Sequence, residues 1–153
     1  LGGSTLLDIG TYNISLALEI FNRQSPEILY KQIEIDKSSK IDMNGFAKLI
    51  FNGSSICNLV WGMGFGYRNE VNILTTSSSI YANKIFSKKE DYQPKILLKN
   101  KFGESLYIDC EKANHFVNMF THFRSLIDDK RSASSEKQRI IQLAKIAEEM
   151  RTN

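Results

Sequence analysis

The sequence predicts an α+β fold: an open, mostly antiparallel sheet with helices packed on one face. Three observations lead there. An apolar helix opens the chain, strand-like segments with short polar turns fill the middle, and two amphipathic helices close it. Strands joined this tightly pair antiparallel, because a parallel pair needs a crossover of roughly a dozen residues.

The opening stretch, Leu1 to Phe21, carries the most information. Gly2 and Gly3 give a start without side chains, where backbone or ligand can approach closely. Ser4 or Thr5 supplies an N-cap oxygen for the first turn. Leu6, Leu7, Ile9, Ile14, Leu16, Ala17, Leu18, Ile20 and Phe21 make a helix that is buried on most of its circumference. Its polar exceptions share one stripe. Asp8, Tyr12, Ser15 and Glu19 follow i, i+4, i+7, i+11, with Thr11 beside them.

Asn22 to Pro26 reads as a turn, and Lys31 to Asp36 as a strand with Ile33 and Ile35 on one face. Lys37 to Lys40 turns the chain into a second strand, Ile41 to Phe51, with Gly45 as the place for a bend. Asn52-Gly53 is the strongest hairpin signal present. A third strand sets Cys57, Leu59, Trp61, Met63, Phe65 and Tyr67 on one face and Gly62, Gly64 and Gly66 on the other. Glycines there mark either helix-on-sheet packing and a bend, or a floor under a flat ligand. The bulky face is either core or an oligomer surface. Glu70 to Thr75, Ile80 to Phe86, a strand from Pro94 through Leu98, and one around Leu106 and Ile108 complete the sheet. Ala113, Phe116, Val117, Phe120, Phe123 and Ile127 keep helical spacing. Asp128 to Ser135 reads as a polar break, after which Ser135 and Gln138 form a capping-box pattern for a last helix ending near Met150.

Composition narrows the function. A length of 153 residues suits one domain, residues 1–153, with a real core. No apolar run approaches the roughly 20 residues of a bilayer span, so no membrane partner is expected. The net charge of +3 is spread along the chain and lacks the basic stripe of a nucleic-acid binder. Cys57 and Cys110 have no zinc spacing and read as reduced thiols of a cytoplasmic protein. His115 and His122 share a helix face without a third ligand in register, so no metal site is expected. Gly62-Met63-Gly64-Phe65-Gly66-Tyr67 fails the dinucleotide fingerprint, having Tyr67 at the third glycine position and no strand-to-helix context. The chain begins without an initiator Met or a basic leader, which gives the expectation of an excised or truncated chain.

Asp8 and Tyr12 allow two readings. A phenol can give a proton to a carbonyl oxygen as a hydride reaches the carbon, if a nearby cation lowers its pKa from about 10. A carboxylate one turn away would orient the phenol or the substrate. Alternatively, Thr5-x-x-Asp8 is a capping box, and Tyr12 is an aromatic at the edge of the core.

Gly2-Gly3-Ser4-Thr5-Leu6-Leu7-Asp8-Ile9-Gly10-Thr11-Tyr12 resembles the GGGALLDxGxY/H signature of the glucose–fructose oxidoreductase/inositol dehydrogenase (Gfo/Idh/MocA) family. Phe65 to Ile73 with Ser79-Ile80, and His115 to Phe120 with Phe123, are similar to later segments of that family. The resemblance implies the C-terminal domain of a two-domain NAD(P)-dependent oxidoreductase of the Tyr-type branch. Its substrate would be a sugar, a sugar nucleotide or a diol. It implies Tyr12 as proton donor or acceptor during hydride transfer, Asp8 as its acidic companion, and a lysine from a separate N-terminal Rossmann domain as the cation. Arg68 and Trp61 are the candidate substrate contacts. That Rossmann domain is missing from this sequence, so no cofactor is expected on this chain alone. The family signature has Ser4 at its third glycine, and its Gly-Ser-Ile turn reads Ser78-Ser79-Ile80. A homodimer through the exposed sheet is also implied. The competing reading is a non-catalytic binding or dimerisation module that has lost its nucleotide-binding domain.

Overall fold

A computed structural model describes residues 3–152; Leu1, Gly2 and Asn153, and with them the expectation placed on Gly2, lie outside the described residues. The element order is a π-helical turn (Leu6–Gly10), α1 (Thr11–Ile20), β1 (Glu27–Ile35), β2 (Asp42–Phe51), β3 (Ser55–Gly62), β4 (Glu70–Leu74), β5 (Ser78–Asn83), β6 (Lys95–Asn100), β7 (Ser105–Asp109), α2 (His115–Asp128) and α3 (Lys130–Arg151). The α+β class is as expected, and every strand pair is antiparallel. The sheet, however, is divided into two: β1-β2-β3 and β4-β5-β6-β7. The chain correspondingly forms two compact units, one holding the residues up to Phe65 together with those from Arg131 onward, the other Gly66–Lys130.

The division begins where the third strand stops. Expected to run past Tyr67, it ends at Gly62, and Gly64 takes a left-handed φ of 80°. Successive glycines weaken a ladder and allow the turn that leaves it. At the other end of β3, Asn52 and Gly53 sit at φ 52° and 68°, the backbone that a tight antiparallel hairpin demands. Gly45 makes no bend; it pairs in register with Ile33 and Trp61. β1 starts four residues earlier than expected, because Glu27 and Ile28 find partners in Ile50 and Leu49. The helical break shrinks to Asp129, so Ser135 and Gln138 lie inside α3 and cap nothing.

In the first unit the helices lie on one face of the sheet. Ala47, Leu49 and Phe51 from β2 and Leu59 and Trp61 from β3 point the same way, as period-two alternation requires. They meet Leu6, Ile14, Ala17 and Leu18 from the first helix and Ile146, Ala147 and Met150 from α3. Each large side chain buried here contributes about 1.5–3 kcal/mol. Phe21 stacks on Phe51 with ring centroids 4.0 Å apart.

Polar contacts fix α3 in place. Arg139 donates to Ser15 Oγ (3.2 Å), Gln142 donates to the Arg23 carbonyl (3.0 Å), and Arg23 pairs with Glu136 (3.2 Å). The Lys31 ammonium donates to the carbonyls of Glu149 and Thr152, where the negative end of the α3 dipole lies. Lys31→Met should therefore cost about 0.5–1 kcal/mol in urea denaturation and fray the last turn of α3 in amide exchange.

The second unit is a meander, β4 to β7 in sequence order, with α2. Asn114 caps α2 by accepting from the N–H groups of Phe116 (3.0 Å) and Val117 (3.2 Å). The apolar stripe expected on this helix is present, yet none of its residues is buried.

Candidate functional site

The helix start that carries Asp8 and leads into Tyr12 of α1 is a π-turn, a widening that occurs frequently at functional sites. The Thr11 N–H reaches back to the Leu6 carbonyl to form it. What terminates this helix electrically is a residue from another element. Asp42, the first residue of β2, accepts from the Thr5 hydroxyl and the Leu6 N–H, each at 2.8 Å. Ser4 Oγ accepts from the Leu7 N–H at 3.1 Å. The first-turn donors are thus taken by Asp42 and Ser4, and Thr5 makes no capping bond within its own helix.

Burial works against the Asp42 charge, but the Leu6 N–H and the Ser4 and Thr5 hydroxyls outweigh it and hold the carboxyl below its ordinary value. The folded pKa being the lower one, this stabilisation is present above the unfolded value near pH 4 and is lost as pH falls through the folded value. Asp42→Ala should destabilise the first unit by about 1–2 kcal/mol, because a buried hydroxyl and an N–H lose their acceptor. Asp42→Asn keeps an acceptor oxygen and should reduce the acid-side slope of stability below pH 5, leaving the share of the other lowered carboxyls, Asp36 and Glu70, as measured by denaturant titration. An unchanged slope would show that Asp42 is not the group responsible.

With the cap supplied elsewhere, the capping-box role of Asp8 is not observed. Asp8 is exposed, and among the described residues its carboxylate forms no hydrogen bond or ion pair. Tyr12 follows one turn on and is 55% exposed. The lower half of the polar seam is used structurally: Ser15 accepts from Arg139, and Glu19 pairs with Arg23 at 3.4 Å. Asn13 anchors the helix by donating to the Val60 carbonyl at 2.8 Å.

Trp61 belongs to the core and backs this helix start. It is 4% exposed, and its indole Nε1 meets no partner among the described residues. Two glycines make its slot. A Cβ on Gly45 would stand 2.3 Å from Trp61 Cζ2, and one on Gly10 would stand 2.8 Å from Leu6 Cδ1 and 3.2 Å from Trp61 Cδ2. Met63 and Phe65, expected on the same face, are exposed. The glycine floor is partly covered by the chain itself, since a Cβ on Gly62 would meet the Phe65 ring at 2.9 Å.

Arg68 lies in the second unit. Its Nε donates to Glu70 Oε1 at 2.6 Å, and Tyr81 donates to Glu70 Oε2 at 2.9 Å. The Arg68 hydrogen bond, followed by that of Tyr81, holds the Glu70 carboxyl low; the same carboxylate raises the Tyr81 phenol. The structure thus brings Asp8, Tyr12 and Trp61 to one helix start and places Arg68 in a separate ion pair. Asp42 is the residue sequence reading missed, since an Asp opening a strand carries no local sign of a partner 36 residues away.

Among the described residues, the glycine-rich segment of β3 and its connection to β4 is not a dinucleotide cradle. Gly62 to Gly66 leads into β4 and not into a helix N-terminus, so the backbone N–H array that holds a pyrophosphate is not built there. Among the same residues there is no cluster of three or more His, Cys, Asp or Glu able to hold a metal ion, and no helix long and apolar enough to cross a membrane.

No protein-family model matches the chain. An uncharacterised oxidoreductase of Rhizobium meliloti is 31% identical over 100 residues, which cover 65% of this chain and 30% of that protein. The 3-ketoreductase KijD10 of Actinomadura kijaniata, solved in an open conformation with TDP-benzene and NADP, superposes with a TM-score of 0.90 at 20% identity, covering 99% of this chain and 48% of that one. A lysine variant of the same enzyme with the same ligands gives a TM-score of 0.89 at 19% identity, over 98% of this chain and 47% of that one. The chain therefore has the fold of about half of that ketoreductase, and it spans less than a third of the curated relative.

Proposed function

We propose that residues 1–153 are the substrate-binding and oligomerisation domain of an NAD(P)-dependent oxidoreductase acting on a sugar, a sugar nucleotide or a diol, with Tyr12 as the proton donor or acceptor. The observation that carries this reading is the pairing of exposed Asp8 and Tyr12 on a helix start whose cap is supplied by Asp42 and Ser4. Sequence identity to an oxidoreductase and the fold shared with a ketoreductase solved with NADP support the class. The opening signature supports placement in the Gfo/Idh/MocA family, Tyr-type branch.

In this reading the Tyr12 hydroxyl hydrogen-bonds the substrate oxygen at the reacting carbon and gives it a proton, or takes one in the reverse direction. Asp8, a carboxylate one turn earlier, orients a neighbouring substrate hydroxyl by accepting from it. Trp61 acts from beneath, keeping Gly10 and the π-turn in place. The nucleotide belongs to a separate N-terminal Rossmann domain, as the resemblance of the opening signature implies. A homodimer through sheet surface would cover exposed apolar residues such as Ile56 and Val60 on the first sheet or Leu74, Leu106 and Tyr107 on the second.

The test is a substrate panel of keto sugars, nucleotide-linked keto sugars and diols, assayed by NAD(P)H absorbance with the protein that carries this domain. Turnover of one class that falls in an Asp8→Asn variant through a higher KM supports the reading. No turnover of any class, with a reading frame that contains no upstream glycine fingerprint, favours the non-catalytic module.

A further inference from the structure

We propose that Asp42 is a positioning residue for turnover: by holding Thr5 and Leu6 it sets where the π-turn delivers the Tyr12 hydroxyl. This role goes beyond capping a helix, and it rests on the part proposed for Tyr12 in proton transfer.

The link from Asp42 to Tyr12 is a short chain of bonds. One carboxylate oxygen, Oδ2, accepts from both the Thr5 hydroxyl and the Leu6 N–H, each at 2.8 Å. Leu6 is held at its other end too, because its carbonyl accepts from the Thr11 N–H across the π-turn. Thr11 directly precedes Tyr12, so a shift of Leu6 passes to the peptide that carries the phenol. There is little slack to absorb such a shift, since Thr5 is 1% exposed and Leu6 is fully buried. A Cβ on Gly3 would stand 2.6 Å from Ile41 Cδ1, so the chain enters the turn pressed against the neighbour of Asp42.

The far end of the link is anchored in the sheet. Asp42 opens β2, whose Ala47, Leu49 and Phe51 are wholly buried. On one side of it the Ile41 carbonyl accepts from the Asp36 N–H at 2.9 Å. On the other the Met43 carbonyl accepts from the Met63 N–H at 2.9 Å. A group fixed to a strand in this way is a more precise reference than one carried on a loop. Precision matters for transfer chemistry, where a displacement of about 1 Å can cost about 10²-fold in rate. A cap that only stabilised the fold would change the folded fraction and leave the turnover of each folded molecule as it was.

A double-mutant cycle in the protein that carries this domain tests the role, with rates referred to folded protein by circular dichroism. Asp42→Ala should lower kcat by about tenfold or more and change KM less. Asp42→Asn, which keeps an acceptor oxygen, should restore kcat to within about threefold. In a Tyr12→Phe background Asp42→Ala should cost less than about twofold, because the group it positions is already gone. Amide exchange gives a readout that needs no substrate: Asp42→Ala should speed exchange at Thr11 by about tenfold and leave the β2 ladder unchanged. If Asp42→Ala does not fold, Thr5→Val removes one of the two donors and should show a smaller loss, about threefold, that again vanishes without the Tyr12 hydroxyl. Native kcat in Asp42→Ala, with Tyr12→Phe impaired, overturns the positioning role and leaves the oxidoreductase reading standing. The same fold-loss with and without the Tyr12 hydroxyl overturns it as well, and so does unchanged exchange at Thr11. Native turnover in Tyr12→Phe overturns the part given to Tyr12, and the positioning role with it.

Discussion

Replacing Tyr12 by Phe should lower kcat of the protein that carries this domain by about 10²–10³ while changing KM little. The phenol oxygen is the group proposed to move the proton. Its loss leaves the ring in place and removes an interaction that strengthens as the substrate oxygen gains or loses charge. Tyr12 is 55% exposed and sits outside the buried core cluster, so stability should change by less than about 0.5 kcal/mol. Steady-state kinetics over pH 5–10, with circular dichroism on the same preparations, separates the two effects. A variant with native turnover would remove Tyr12 from the mechanism. One that loses kcat only in proportion to unfolded protein would make it structural.

Replacing Gly45 by Val should be the most damaging single change to the fold, about 3 kcal/mol, at the upper end of the cost of overpacking. The reason is local. Gly45 lies on β2 directly opposite Trp61, and a Cβ there would overlap the indole at 2.3 Å from Cζ2 and 2.6 Å from Cε2. The indole has little room to retreat, because its other side faces Gly10 of the π-turn and Leu59 and Leu49 share its core. The strain should pass into the turn that holds Asp8, so activity should fall along with stability. Urea midpoints of Gly45→Val, Trp61→Leu and the double variant measure this. The double variant should lose less than the sum of the singles, since the smaller side chain frees the slot. Strict additivity would show that the two residues do not compete for one space.

The two experiments probe features that differ in how readable they were beforehand. The polar seam of the first helix was legible from spacing, because Asp8, Tyr12, Ser15 and Glu19 recur at helical intervals among apolar residues. So were the antiparallel pairing and the hairpin at Asn52-Gly53, since both follow from loop length and from backbone angles that few residues accept. Strand and helix ends were read less well. β3 was drawn through Gly64 because alternation of bulky residues continued past Gly62, while the ladder itself had already ended. The polar segment before Ser135 looked like a break because exposed helix and loop have similar composition.

The sequence by itself determined the class of the fold, the helix that carries the candidate site, and which two side chains on it are chemically able to act. These depend on local periodicity and on residue chemistry, which a linear pattern contains. The tertiary structure alone decided what Asp8 is not needed for, where Trp61 lies, and that the strands form two sheets. Each of those outcomes turns on partners distant in sequence: Asp42 capping a helix that begins 36 residues earlier, Gly45 and Gly10 opening a slot for one indole, and a ladder ending where no partner strand continues it. A cap or a slot exists only when two distant segments meet, so no window of the sequence could display it.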